Sequence, residues 1–88
     1  MAEIVKFSDA VNLGFHSMIY LSQYHEHEVA LHDIATALRV SEAHLSKVLQ
    51  RLRKVGLVQA SRGPTGGYRL ARKPSEISFA GIFEAIEG

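Results

Sequence analysis

Three groups of residues in this chain have types and spacing that chemistry can use. The first is histidine: His16, His25, His27, His32 and His44, with acidic residues interleaved as His25-Glu26-His27-Glu28. Imidazoles and carboxylates bind metals, but closed sites need a complete ligand set at defined spacings. Alternating residues in a polar break leave the fourth ligand unidentified, so this run reads as a solvated loop. The second group is the run Ser61-Arg62-Gly63-Pro64-Thr65-Gly66-Gly67, whose glycines allow close backbone approach and whose Pro64 stiffens the tip. A nucleotide-phosphate cradle would need Gly-Lys-Ser/Thr opening a helix; that triplet is missing and a strand-like segment follows. The third group is cationic. Between Ala43 and Ser75 lie Lys47, Arg51, Arg53, Lys54, Arg62, Arg69, Arg72 and Lys73, eight of the ten basic residues, with no Asp or Glu among them. The chain carries a formal net charge of only +1, yet a face polarised in this way attracts a polyanion. No carboxylate pair, Ser-His-Asp arrangement or ligand cluster is recognisable by spacing, so the expectation is a binding domain and not an enzyme.

Those residues need a scaffold. Leu45, Val48, Leu49, Leu52 and Val55 recur at three-and-four spacing, the mark of a helix with one apolar stripe. Ser41 is placed to cap its start, and Gly56 suits the left-handed position after its end. Leu57–Ala60 and Tyr68–Ala71 are strand candidates flanking the Gly-rich loop. Upstream, Ser8-Asp9 begins a first helix running to about Tyr24, with Val11, Gly14, Phe15, Met18 and Leu21 on its buried face. Leu31, Ile34, Ala35 and Leu38 face the core from a short second helix, weakly capped because Ala30 occupies the cap position. Arg39-Val40-Ser41 is short enough for the turn of a helix-turn-helix, with Val40 as its apolar pin. A final helix begins at Ser78, with Ile77 and Ile82 as a hydrophobic staple and Phe79, Ile82, Phe83 and Ile86 as its stripe.

The expected fold is therefore mostly α with a small β-hairpin (α+β), a winged helix-turn-helix formed by residues 1–88 as one domain. Eighty-eight residues suffice for one small core, and 47% hydrophobic content argues against a disordered tail. The absence of cysteine excludes disulfides and thiolate ligands in this chain and agrees with a reducing, cytoplasmic setting. The most apolar stretch, Val11–Leu21, is far short of the ~20 residues that span a bilayer, so no membrane partner is expected.

A helix of this kind fits the major groove of B-DNA, where its N-terminal residues reach base edges. Ser41, Ala43, His44, Ser46 and Lys47 are the expected base or near-base contacts; Gln50, Arg51 and Lys54 are expected at phosphates. His44 lies outside the apolar stripe and is expected to face DNA, the alternative being a ring packed over the turn. Arg62, at the base of the loop, suits a narrow minor groove, with Gly63, Pro64 and Thr65 beside it. Tyr68 is expected to pack on the hairpin. A winged helix using the same basic face for an acidic protein is the competing reading.

With these residues in view, the chain resembles bacterial winged-helix regulators of the IscR/NsrR family, which respond to iron–sulfur clusters and nitric oxide. The resemblance runs from about Lys6 to Gly88. It rests on Leu31-His32-Asp33-Ile34-Ala35, Leu52-Arg53-Lys54-Val55-Gly56-Leu57-Val58, Arg62-Gly63-Pro64-Thr65-Gly66-Gly67-Tyr68-Arg69-Leu70 and Ile82-Phe83-Glu84-Ala85-Ile86-Glu87-Gly88. Any one of these is weak; together they are specific. The resemblance implies transcription regulation, as a repressor, by a homodimer on a pseudo-palindromic operator in double-stranded DNA. It matches the family's N-terminal basic-apolar-hydroxyl triplet to Lys6-Phe7-Ser8, which places Lys6 and Ser8 near phosphate, and its wing arginine to Arg62. It also shows departures. His44 stands where similar proteins often carry an aromatic residue, and Ser46 where they carry an acidic one, which bears on the target sequence and not on the class. Cluster-binding members carry three cysteines beyond the point where this sequence stops, and an acidic ligand of some members falls at Asn12. No cofactor is therefore expected in this chain, and an iron–sulfur cluster only if a cysteine-bearing region belongs to a longer protein. The expectation is that the sequence is a truncated piece of such a protein, its last helix leading toward a dimerisation region, the alternative being a member that senses something else or nothing.

Overall fold

Serine hydroxyls open the long helices, each accepting a backbone N–H that has no intrahelical partner. In the computed structural model, which describes residues 8–24, 27–61 and 66–88, Ser8 Oγ accepts the Val11 amide at 3.1 Å and starts α1 (Asp9–Ser22). Val11, Gly14, Met18 and Leu21 are buried as expected, joined by Leu13 and Ser17, while Phe15 is only partly covered. The helix stops two residues short of the expected Tyr24. Its last turn tightens, the Gln23 and Tyr24 amides donating to Tyr20 and Leu21 carbonyls at 3.1 Å each.

Helix α2 (Leu31–Leu38) begins at Ala30 with no side-chain cap, as its sequence requires. Ile34 and Ala35 are buried, with Leu31 and Leu38 packed at the edge. The chain then reverses through Arg39, which adopts the left-handed conformation (φ 58°), and Val40 packs on the core. Ser41 Oγ accepts the His44 amide at 3.1 Å to start α3 (Glu42–Lys54). Leu45, Val48, Leu49 and Leu52 are buried. Val55, expected to continue that stripe, is instead 51% exposed. It is the C-cap residue, already out of helical register, and the core position passes to Leu57. The stop is a Schellman motif: Gly56 sits at φ 81° and donates to the Arg53 carbonyl, while Leu57 N–H reaches back to Leu52 O at 3.0 Å.

Strands β1 (Val58–Ala60) and β2 (Tyr68–Leu70) pair antiparallel with Val58 opposite Leu70 and Ala60 opposite Tyr68. They are one residue shorter each than expected, although Ala71 N–H still donates to Leu57 O at 3.0 Å. A third segment, given no strand from sequence, joins them. Val29 and Tyr68 exchange a pair of backbone hydrogen bonds at 2.8 and 2.9 Å, so the residues before α2 flank the hairpin. Tyr68 is half-buried against the core, as expected.

After a 3₁₀ turn at Pro74–Glu76, Ser78 Oγ accepts the Gly81 amide at 3.0 Å and starts α4 (Phe79–Glu87). Ile82 and Ile86 are buried against Gly14 of α1, where an added Cβ would lie 3.3 Å from the Ile86 side chain. Ile77 packs on the core, as a staple residue must. The other half of the expected stripe behaves differently: Phe79 and Phe83 are 54% and 39% exposed, with Phe79 stacked on Phe15 at 4.0 Å between ring centres. The core is one cluster fed by all four helices and both strands. Among the described residues no helix is long and apolar enough to cross a membrane.

Candidate nucleic-acid interface

A helix turns about 100° per residue, so the buried stripe of α3 dictates where its other side chains go. Ala43, Lys47, Gln50 and Lys54 stand directly opposite Leu45, Val48, Leu49 and Leu52, and all four are exposed. Glu42, Ser46 and Arg53 fall on one flank, and His44, Arg51 and Val55 on the other. Lys47, Arg51, Arg53, Lys54, Arg69, Arg72 and Lys73 are all exposed, so the basic run of the sequence becomes a basic surface.

Several expected contact residues already have intramolecular tasks. Ser8 and Ser41 hold helix caps through their oxygens and keep their hydroxyl protons to donate. Gln50 Nε2 donates to Ser46 Oγ at 3.2 Å, which holds that amide along the outward side of α3. His44 is exposed but also borders a cleft of about 320 Å³ with Asp9, Asn12, Leu13, His16, Leu38 and Val40. Its side chain is therefore open to a ligand at the mouth of that cleft.

Arg51, expected at a phosphate, is exposed and has an intramolecular partner as well. Its Nη1 donates to the main-chain carbonyl of Ile86 in α4. The reason is rotational: the flank of α3 that carries Arg51 is the one against which α4 packs.

The hairpin that follows α3 is pinned at its base. Ser61 Oγ donates to the Glu28 carboxylate and accepts the Gly67 amide, the latter at 3.2 Å. Across the strands Arg69 Nε donates to Gln59 Oε1 at 3.2 Å. Lys6 and the wing-tip residues Arg62, Gly63, Pro64 and Thr65 lie outside the described residues, as do His25 and Glu26 of the histidine run. Two residues of the basic run that were given no contact of their own from sequence are brought together here. Arg53 and Arg72 line one cleft beside Gln59 and Glu76, between the end of α3 and the hairpin; the uninterrupted basic run was the signal that they share a face.

At the front of α3, Glu42 accepts a hydrogen bond from His32 Nδ1 at 2.9 Å. That bond, then the carboxylate charge, raises the His32 pKa above its ordinary value. Among the described residues no three or more His, Asp or Glu side chains group as metal ligands. With no cysteine in the sequence, these residues do not fit an iron ion or an iron–sulfur cluster.

A capped basic helix behind a short turn, followed by an antiparallel hairpin, defines a winged helix-turn-helix, a class of DNA-binding domain. The chain belongs to the Rrf2 family, described as iron-dependent transcriptional regulators, whose family model matches residues 7–88. It is 40% identical over 62 residues to the regulator NsrR of Geobacillus kaustophilus, covering 70% of this chain and 42% of that protein. It is 42% identical over 62 residues to IscR of Aliivibrio salmonicida, covering 70% of this chain and 37% of that protein. Among solved structures, CymR, the global cysteine regulator of B. subtilis, superposes with a TM-score of 0.90 at 35% identity over 97% of this chain and 67% of that one. The match thus spans between about a third and a half of the length of the curated relatives. The resemblance read from the motifs is borne out, and so is the class of transcription regulator over that of enzyme.

Proposed function

We propose that this chain is the DNA-reading part of a transcriptional repressor, with the outward face of α3 in the major groove and the wing in the flanking minor groove. One observation carries the reading: Ala43, Lys47, Gln50 and Lys54 form an exposed, acid-free face diametrically opposite the core stripe. In this reading Ser41, Ala43, His44, Ser46 and Lys47 meet base edges, and Gln50 and Lys54 meet phosphate. Lys6 and Ser8 meet phosphate at the start of α1, where the helix N-terminus also favours an anion. Arg62 enters the minor groove, with Gly63, Pro64 and Thr65 carrying its backbone close to the DNA.

In this reading the protein acts on a pseudo-palindromic operator in double-stranded DNA as a homodimer, with half-sites about one helical turn, ~34 Å, apart. The domain is residues 1–88, its last helix leading to the dimerisation elements, and its place is the cytoplasm. In this reading the chain itself holds no cofactor, and an iron–sulfur cluster enters only if a cysteine-bearing region belongs to a longer protein.

The test is fluorescence anisotropy against a pool of duplex DNA at several salt concentrations. Binding should weaken steeply with salt as counterions are released, and Lys47→Ala should weaken it. Arg62→Ala should lower affinity for a selected site by ~1–3 kcal/mol, as a lost groove contact does. A folded chain that binds no duplex at low salt, yet forms a salt-sensitive complex with an acidic protein, would replace this reading with a protein-assembly role for the same face.

A further inference from the structure

Helices α3 and α4 pack side by side, and a polar link crosses their seam near the end of both. The Arg51 guanidinium donates to the Ile86 carbonyl, in the last turn of α4 (Phe79–Glu87). The acceptor is held in place from the other side, because the Ile86 side chain is fully buried against Gly14 of α1. The donor sits one flank away from the outward face, with Lys54 and Lys47 close to it around the helix. The Arg51 bond therefore constrains how far α3 is rotated about its own axis relative to α4. The buried Leu45, Val48, Leu49 and Leu52 seat α3 on the core; apolar contact has no direction of its own, and the Arg51 bond adds a directed one at the α3–α4 seam.

We propose that Arg51 is a positioning residue for DNA reading, which ties the end of α4 to the rotation of α3 so that displacing that end turns the outward face. The proposal rests on the DNA-binding role argued above. It assigns Arg51 to the scaffold, where the sequence alone would place it on phosphate.

The two assignments are separable by salt. The experiment compares wild type, Arg51→Met and Arg51→Lys, each confirmed folded by circular dichroism, on a duplex selected by the wild type and on a random duplex. Amide exchange over residues 84–88 is followed in parallel without DNA. The expected result for Arg51→Met is a loss of selective affinity of about fivefold or more with an unchanged salt slope. Exchange over 84–88 should accelerate, and Arg51→Lys should recover part of both effects. A salt slope reduced by about one unit with unchanged exchange would overturn the proposal, since that is the signature of a lost phosphate contact. Faster exchange with intact selectivity would also overturn it, leaving a tie that does not reach the reading face. Failure of the wild type to bind any duplex would be seen before any variant is compared, and would remove the DNA-binding role and this one together.

Discussion

Replacing Gly67 by alanine tests the least expected contact in the fold. An added Cβ would lie 2.5 Å from the Val29 carbonyl oxygen, 2.7 Å from its carbon and 3.0 Å from the Ala30 nitrogen. The first of these is about 0.9 Å inside ordinary van der Waals contact, and all three obstacles are backbone, so no side-chain rotation relieves them. Val29 can retreat only by stretching the bonds it shares with Tyr68, now 2.8 and 2.9 Å. Losing both at about 1 kcal/mol each, with some residual strain, puts the cost at about 2–3 kcal/mol. That is a large share of the ~5–15 kcal/mol by which a domain is stable. Gly56→Ala is the internal control. It meets nothing within 4 Å, and its φ of 81° alone should cost about 1 kcal/mol. The assay is urea unfolding followed by far-ultraviolet circular dichroism for both variants under one buffer. If Gly67→Ala costs no more than Gly56→Ala, the close approach of the hairpin to the segment before α2 is refuted.

Ser17 is completely buried and its hydroxyl has no hydrogen-bond partner among the described residues. Ser17→Ala should therefore stabilise the domain by about 1 kcal/mol, read as a raised urea midpoint, and a lowered midpoint would show that the hydroxyl is satisfied. For His32, hydrogen bonding to Glu42 raises the folded-state pKa above the ordinary value near 6.5. The stabilisation it supplies is present below that ordinary value and is lost as pH rises through the raised one. In an NMR titration Glu42→Gln should move the His32 midpoint down, and an unmoved midpoint would dissolve the pair.

The winged helix-turn-helix was legible because its punctuation is local. Ser8, Ser41 and Ser78 each bond an amide three residues on, and Gly56 closes α3 from within its own turn, so nearby residues alone specify these ends. The outward face of α3 was legible for the same reason, since helical periodicity ties Ala43, Lys47, Gln50 and Lys54 to the positions opposite the apolar stripe. Contacts between residues far apart in the chain carry no such periodic signal. Val29 joins Tyr68, Arg51 turns to Ile86, and Gly14 admits Ile82 and Ile86 while Phe79 and Phe83 remain largely at the surface. Which of several apolar residues on one helix reaches the core, and which arginine of a basic run is taken by the scaffold, depends on the neighbour each flank meets. Residue type and spacing determined the elements and the charged face of this protein; only the packing of α1, α3, α4 and the hairpin decided which of those residues the fold uses for itself.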